Sequence, residues 1–240
     1  MNSFADKERS DRLIPDRSLG KNRVRKPPRT RHILPSSHFR SVASRLLALR
    51  EEGAHKTIGI ASCRENEGNS TVASNLTVAI NNAIDGEVLL IDCVEPTKRI
   101  LGPGWFDFVF RNVELLAVVR PTETPKLSTI SAGIVLEPGV GTYNRDRLMS
   151  ICRQLKERFE FVIFDLPCAN DSTGCFPIAG VLDGVILNFK SGLINSARAI
   201  QMQKEFQLRG ANVLGAVLNQ TQSYVPGFLR MLLRSKNSYS

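Results

Sequence analysis

The sequence predicts an α/β fold, a doubly wound and mostly parallel sheet with helices on both faces. Apolar runs of strand length alternate with segments of helical periodicity along most of the chain. Runs such as VLLI and FVIF are apolar at consecutive positions, as is typical of parallel strands covered on both faces. With 240 residues, 42% of them hydrophobic, the chain is long enough to bury the core of one such domain.

The predicted elements alternate along the chain. The first is an amphipathic helix, Ser37 to Glu52, whose apolar residues follow a helical period and which Gly53 ends. Further helices are predicted at Ser70 to Ile84, Trp105 to Val118, Asn144 to Phe159, Phe176 to Val181, Ile194 to Arg209 and Gly227 to Leu233. Strands are predicted at Thr57 to Ser62, Glu87 to Asp92, Leu127 to Ser131, Glu160 to Leu166, Gly184 to Phe189 and Asn212 to Leu218. Right-handed crossovers between parallel strands place ligands at the carboxyl ends of the strands.

The net charge of +9 comes entirely from the two ends of the chain. Residues 1–35 carry +6 and residues 221–240 carry +3, whereas the residues between them are neutral overall. We therefore divide the chain into a basic tail without a fold of its own (1–35), one domain (36–222) and a basic C-terminal tail (223–240). The tails either attract an anionic membrane surface or only keep the chain soluble. They contain few aromatic residues for base stacking (Phe4, Tyr224, Phe228 and Tyr239) and no recognisable nucleic-acid motif, so nucleic acid is not an expected partner.

Cysteine usage and hydropathy indicate a cytoplasmic protein. The five cysteines are odd in number and contain no C-x-x-C pair, which argues against a disulfide framework and a zinc site. No run approaches 18 apolar residues, and the first residues are too polar for a signal peptide.

The stretch from Thr57 to Leu76 has the layout of a phosphate-binding loop that lacks its lysine. An apolar run is followed by a polar loop and a helix that starts at a pair of hydroxyl residues. Gly68 occupies the place of the last glycine in G-x-x-x-x-G-K-[ST], Asn69 that of the lysine and Ser70 that of the metal-binding hydroxyl. The first glycine is replaced by Cys63. The alternative is an ordinary strand-to-helix turn capped by Ser70.

Three polar residues at strand ends extend this pattern. Asp92 ends the second predicted strand, Asp165 lies near the end of the fourth, and Asn219 follows the last. A carboxylate held by a rigid strand end is suited to a Mg²⁺ ion and its waters. Each aspartate could instead be a helix cap or a solvated strand end. Together with the loop, however, they predict a nucleotide site.

Several ordered motifs resemble the cytoplasmic kinase domains of bacterial tyrosine kinases of capsule and exopolysaccharide synthesis. These domains are P-loop NTPase-like relatives of the septum-positioning and chromosome-partitioning ATPases. The segment NEGNSTVASNLTVAI is similar to the family's G-E-G-K-S-T loop and A-x-N-L-A helix, and EVLLIDCVEPTKR to V-L-L-I-D-A-D-x-R-R-P. FEFVIFDLPCAN resembles Y-D-Y-V-I-I-D-T-P-P, LDGVILNFKSG resembles V-D-G-V-L-L-V-V-R-A-G, and GANVLGAVLNQ resembles G-x-x-V-L-G-V-V-L-N-R.

The resemblance implies a site for ATP or ADP with Mg²⁺, formed by three sets of residues. The catalytic residues, if any activity remains, are Asp92 and Asp165; the metal ligands are these two and Ser70; the nucleotide-binding residues are Glu67, Gly68, Asn69, Ser70, Thr71 and Asn219. It also implies a membrane polysaccharide co-polymerase as partner, a location at the inner membrane face, and homo-oligomers formed through the first helix.

The departures from the family fall mainly in the motifs that bind phosphate and metal or take part in phosphorylation. Asn66 and Asn69 stand in place of a glycine and the lysine of G-E-G-K, and Val94 replaces the second acid of the second motif. The C-terminal tyrosine cluster is reduced to Tyr224 and Tyr239. The E-x-x-R-x-x-R motif of the first helix reads Ser37, Arg40 and Ala43, so only one of the three charged residues that form rings in the family is present.

These departures favour a kinase-like protein with weak or absent nucleotide turnover that regulates or scaffolds exopolysaccharide production. One alternative is an active protein-tyrosine kinase or ATPase in which another cation, such as Arg64, replaces the lysine. A second alternative is a partitioning-type ATPase that binds membrane or DNA through its basic tails.

Overall fold

The computed structural model describes residues 37–53, 55–95, 102–133, 142–170 and 174–220. The helices are α1 (Ser37–Gly53), α2 (Asn69–Asn81), α3 (Trp105–Phe110), α4 (Leu115–Val118), α5 (Arg145–Arg158), α6 (Cys175–Ala179) and α7 (Ser196–Leu208). The strands are β1 (Thr57–Ser62), β2 (Val88–Asp92), β3 (Arg120–Pro121), β4 (Leu127–Ile130), β5 (Phe161–Asp165), β6 (Gly184–Lys190) and β7 (Val213–Asn219). Both predicted tails and the predicted helix Gly227 to Leu233 lie outside the described residues.

The strands form one sheet in the order β3-β4-β2-β5-β1-β6-β7. Every neighbouring pair is parallel except β3 and β4, which pair antiparallel. This confirms the predicted α/β class with a mostly parallel sheet. The two-residue strand β3 was not predicted, because two residues are too few to show a strand period.

Helices cover both faces of the sheet, as the apolar strands predict. The strands β1 and β5 are buried along their whole lengths. On one face α3, α5, α6 and α7 pack over a core that includes Trp105, Phe164 and Phe206. On the other face α1 and α2 contribute Leu46 and Leu76 to a second core. Both cores consist of hydrophobic side chains whose burial stabilises the sheet, and Asp92, Asp165 and Asn219 lie at the strand ends.

Two predicted helices differ in detail from the structure. The prediction at Trp105 to Val118 was too long: the segment forms α3 and α4, separated near Asn112, which has a left-handed φ of 56°. The helix predicted to begin at Ser70 begins at Asn69 and ends at Asn81, before the predicted end.

In the described part of the chain, no helix is both long enough and apolar enough to cross a bilayer.

The half-buried carboxylate of Asp183 joins three elements at the amino-terminal edge of the sheet. Its Oδ2 atom accepts hydrogen bonds from Lys56 N (3.0 Å), Thr57 N (2.9 Å) and Thr57 Oγ1 (2.8 Å). Its Oδ1 atom pairs with Lys156 of α5. Burial alone would raise the pKa of Asp183, but the hydrogen bonds from Lys156 and Thr57 outweigh it and lower the pKa below the ordinary value.

We expect the substitution Asp183→Asn to lower the free energy of unfolding at pH 7 by about 1–3 kcal/mol, because charge-assisted hydrogen bonds to buried donors are lost. A lowered carboxyl pKa contributes stability above the unfolded-state pKa, about 3.9, and the contribution disappears as the pH falls through the folded-state pKa. Urea titrations should therefore show the difference between wild type and variant narrowing below about pH 4.

The control for this prediction is Asp85→Asn. Asp85 pairs with Lys126 at 3.2 Å, but its side chain is fully exposed, so its loss should change the stability little. A difference for Asp183→Asn that is equally large at pH 7 and pH 3 would contradict the role assigned to the ionised carboxylate.

Candidate functional site

The predicted site residues meet at the carboxyl edge of the sheet. The loop 63–68 connects β1 to α2, Asp92 ends β2 and Asp165 ends β5. Asp92 and Asp165 are direct partners in the register of two neighbouring parallel strands. Residues that are far apart in sequence therefore lie close together at this edge, as expected from the rule that ligands bind at the carboxyl ends of parallel strands.

The chain itself holds the loop 63–68 in shape. The Glu67 side chain is only 4% exposed, and its Oε2 atom accepts hydrogen bonds from the backbone of Cys63 (2.9 Å) and Arg64 (3.1 Å). Asn66 and Gly68 both adopt left-handed φ angles, of 60° and 83°. These contacts close the loop on itself.

Gly68 is required by a close approach as well as by its φ angle. A Cβ atom at this position would lie 2.5 Å from Nδ2 of Asn219. That amide donates to the carbonyl oxygen of Glu67 at 3.1 Å. Asn219 and Glu67 were both predicted to bind nucleotide. Here the Asn219 amide and the Glu67 carboxylate hold the loop.

Sequence reasoning missed Asn188 of β6. This side chain is fully buried, and its Nδ2 atom donates to the carbonyl oxygen of Glu67 at 3.2 Å. The signal was available as an amide inside the apolar run VILNF, since a buried polar side chain needs a hydrogen-bonding partner. Its Oδ1 atom is buried and has no hydrogen-bonding partner among the described residues.

The first turn of α2 has the geometry of an anion-binding helix start. Gly68 is the N-cap of the helix, no side chain caps the first turn, and the first intrahelical bond runs from Val72 N to Gly68 O at 3.0 Å. Free N–H groups at a helix start, with the helix dipole behind them, attract a phosphate. Ser70 and Thr71 line the cavity in front of this turn.

Asn69, at the place of the lysine, points its amide nitrogen into a group of oxygen atoms. Nδ2 lies 2.8 Å from Ile60 O, 2.9 Å from Asp165 Oδ1 and 2.9 Å from Leu166 O. The Oδ1 atom of Asn69 is buried and without a partner among the described residues. The amide thus binds α2 to the ends of β1 and β5 and brings no positive charge to the site.

The pKa values of Asp92 and Asp165 are both raised above the ordinary value. Burial raises the pKa of Asp165 to about 6, and the nearby Asp92 carboxylate raises it as well, while hydrogen bonds from Ser70 and Asn69 act in the opposite direction. Burial also raises the pKa of Asp92, although Val94 N donates to it at 3.0 Å. Two crowded carboxylates beside a hydroxyl are hard oxygen ligands and favour a cation between them.

These groups fit a Mg²⁺ ion that shares its coordination with a phosphate. Ser70, Asp92 and Asp165 would hold the ion, and the free N–H groups of α2 would hold the phosphate. Over the described ranges, no cluster of three or more His, Cys, Asp or Glu residues is placed to bind a metal by itself. Water and a ligand would therefore complete the coordination.

The cavity above the loop is acidic. It has a volume of about 640 Å³, and its acidic lining residues within the described ranges are Glu65, Glu67 and Glu95. Neither Lys nor Arg occurs among those lining residues. Arg64, the alternative cation, lines a different cavity beside the start of α7. We refer to the space lined by Glu65, Glu67 and Glu95 as the acidic cavity.

Sequence comparison relates the chain to bacterial kinases. No protein-family model matches it. The tyrosine-protein kinase CpsD of Streptococcus agalactiae serotype III (strain NEM316) is 25% identical over 179 residues, which cover 71% of this chain and 77% of CpsD. The putative tyrosine-protein kinase CapB of Staphylococcus aureus is 21% identical over 196 residues, covering 77% of this chain and 84% of CapB.

Solved structures with the same fold include both kinases and ATPases. The kinase domain of the Escherichia coli tyrosine kinase ETK matches with a TM-score of 0.68 and 18% identity over 77% of this chain and 76% of that domain. The septum site-determining protein MinD of Pyrococcus horikoshii OT3, complexed with Mg-ADP, matches with a TM-score of 0.54 and 18% identity, covering 68% and 69% of the two chains. The chain is therefore a homologue of the bacterial tyrosine-protein kinases, built on the P-loop fold that their kinase domains share with MinD.

Proposed function

We propose that this chain is a degenerate tyrosine-kinase-like protein of capsule or exopolysaccharide synthesis, which regulates or scaffolds a membrane polysaccharide co-polymerase with little or no nucleotide turnover. The observation that carries the proposal is the neutral Asn69 amide at the place of the lysine. It is bonded to Asp165 Oδ1 at 2.9 Å, beside a cavity whose described lining contains no Lys or Arg.

The distribution of charge in the site supports the proposal that nucleotide turnover is weak. Phosphoryl transfer depends on positive groups that stabilise the charge on the transferred phosphate. Glu65 and Glu95 add negative charge to the acidic cavity, and Arg64 lies in a separate cavity. Loss of a single preorganised donor lowers turnover by about 10²- to 10³-fold. A Mg²⁺ ion at Ser70, Asp92 and Asp165 would still allow weak binding of ATP or ADP.

We expect the purified chain to hydrolyse ATP no faster than its Asp165→Asn variant, because the missing charge leaves little catalysis for the aspartate to support. Phosphate release and mass spectrometry of tyrosine phosphorylation measure this at pH 7.5 with excess Mg²⁺. ATP hydrolysis or autophosphorylation that is robust in the wild-type chain and absent from Asp165→Asn would overturn the proposal in favour of an active kinase.

Asn69→Lys tests whether the loop still has a working geometry. A lysine here restores a charge-assisted contact to phosphate, so calorimetry should show Mg-ATP bound about tenfold or more tightly than by the wild type. The matched control is Ser74→Lys, which adds the same charge to an exposed position of α2. An unchanged affinity in a folded Asn69→Lys protein would mean that the loop no longer accepts a nucleotide.

The partner role is proposed to use α1 and to need no catalysis. Ala43 and Leu46 are buried against the second core, so this part of the helix stabilises its own domain. Arg40 and Arg45 are exposed and leave a basic surface for a contact. The buried Ala43, at the third position of the ring motif, is not available to a neighbouring copy.

We expect the chain to co-purify with the cytoplasmic segment of a polysaccharide co-polymerase and the Asp165→Asn variant to co-purify equally well. The double substitution Arg40→Glu and Arg45→Glu should weaken the contact, whereas Arg153→Glu, an exposed charge reversal on α5, should not. Co-purification that requires Asp165, or that survives the α1 charge reversal, would contradict this role of the helix.

A further inference from the structure

A second cavity, of about 250 Å³, lies between the loop that follows β1 and the start of α7. Arg64 and Glu67 line it from the loop, and Asn195 and Arg198 line it from α7. We refer to the space lined by these four residues as the basic cavity. The loop therefore separates two spaces of different charge, and Glu67 contributes to the walls of both.

The Arg64 guanidinium is available to a ligand. Its side chain is exposed, and within the described ranges no carboxylate forms an ion pair with it. The backbone N–H of Arg64 is already bonded to the Glu67 carboxylate at 3.1 Å, which fixes the residue at the cavity wall. Its positive charge is thus presented next to the cavity without a neutralising partner.

Arg198 is held in place but keeps donors to spare. Its Nη2 atom donates to Asn170 Oδ1 at 3.0 Å and lies 3.6 Å from the Cys63 sulfur. Its Nη1 atom is 3.8 Å from Glu205, a long ion pair. A guanidinium has five N–H donors in a fixed plane, so these contacts orient the group and leave further donors for a ligand.

The remaining polar groups of the basic cavity do not cancel this charge. The Glu67 carboxylate accepts two backbone hydrogen bonds through Oε2, from Cys63 and Arg64, which partly satisfy its charge. Asn195 caps α7 by accepting from Arg198 N at 2.9 Å, and the positive end of the helix dipole adds to the potential there. Among the residues that line the cavity there are two guanidinium groups and one carboxylate, so the lining is net positive. Glu205, which pairs with Arg198 at 3.8 Å, does not line the cavity.

We propose that the basic cavity binds a phosphate group, carried either by free inorganic phosphate or by a phosphate monoester. Guanidinium groups donate parallel hydrogen bonds to tetrahedral oxyanions, and two of them balance the charge of a dianion. The volume is several times the roughly 30 Å³ that a water molecule occupies in the liquid, so a phosphate and its nearest waters have room. The site uses residues different from those that would hold Mg²⁺, and it does not depend on nucleotide binding.

Titration of the full chain with inorganic phosphate, monitored through backbone amide NMR signals in a buffer free of phosphate and Mg²⁺, tests the proposal. We expect the largest shifts at Arg64, Asn195 and Arg198. A phosphate bound instead at the start of α2 would shift residues 68–71, and shifts confined to those residues would overturn the proposal. So would the absence of any saturable binding.

Variants give the second readout. Arg64→Gln and Arg198→Gln should each weaken phosphate binding about tenfold or more, because each removes charge-assisted hydrogen bonds. Arg153→Gln, which removes the same charge from an exposed position on α5, should bind as the wild type does. Affinities unchanged by the first two substitutions would overturn the site. Because Arg64 is exposed, its variant should fold normally even if Arg198→Gln disturbs the contacts with Asn170 and Cys63.

A parallel titration with phenyl phosphate identifies the source of the group. Tighter binding of phenyl phosphate than of inorganic phosphate at Arg64 and Arg198 supports a monoester ligand, and the opposite order supports free phosphate. Since no nucleotide is present, failure here leaves the proposed function intact. Failure of the Asn69→Lys test, in turn, does not affect this site.

Discussion

The candidate site depends on one hydrogen-bonding group, the side-chain amide of Asn69. It lies among the carbonyl oxygens of Ile60 and Leu166 and the carboxylate of Asp165, all within 2.9 Å of its nitrogen. These oxygen atoms create a negative pocket at the junction of β1, β5 and α2, which needs a donor. An amide meets that need with two hydrogens and no charge. The start of α2 is thereby fixed, but the positive charge that a lysine would bring is lost.

The surrounding loop has kept its shape through contacts within the chain. The Glu67 carboxylate closes it from inside, and the amides of Asn188 and Asn219 both hold the Glu67 carbonyl oxygen from the neighbouring strands. A loop that its own side chains satisfy does not need an anion in order to fold. The backbone arrangement at the start of α2 suits a phosphate, whereas the described lining of the acidic cavity contains three glutamates and no Lys or Arg.

Charge is distributed unequally on the two sides of this loop. Carboxylates lie together on the side of Asp92 and Asp165, where burial, and to a lesser extent the neighbouring Asp92 carboxylate, raises the pKa of Asp165 to about 6. Two arginines gather on the other side, next to α7. Because Glu67 lines both cavities, a ligand in either one would contact the same loop.

The sequence alone was sufficient for the fold and for the position of two aspartates at the carboxyl edge of the sheet. The apolar strands, the helical periods and the rule that ligands meet strand ends are local or general signals, and they located β1, β2, β5, Asp92 and Asp165. Tertiary structure decided what the polar side chains do. Asn69 bonds to Asp165 across 96 positions of sequence, Asn188 to Glu67 across 121 and Asn219 to Glu67 across 152. These pairs form only because particular strands are neighbours in the folded sheet. No local sequence pattern could therefore show that Glu67 and Asn219 hold the loop, or that Arg64 lines a separate cavity.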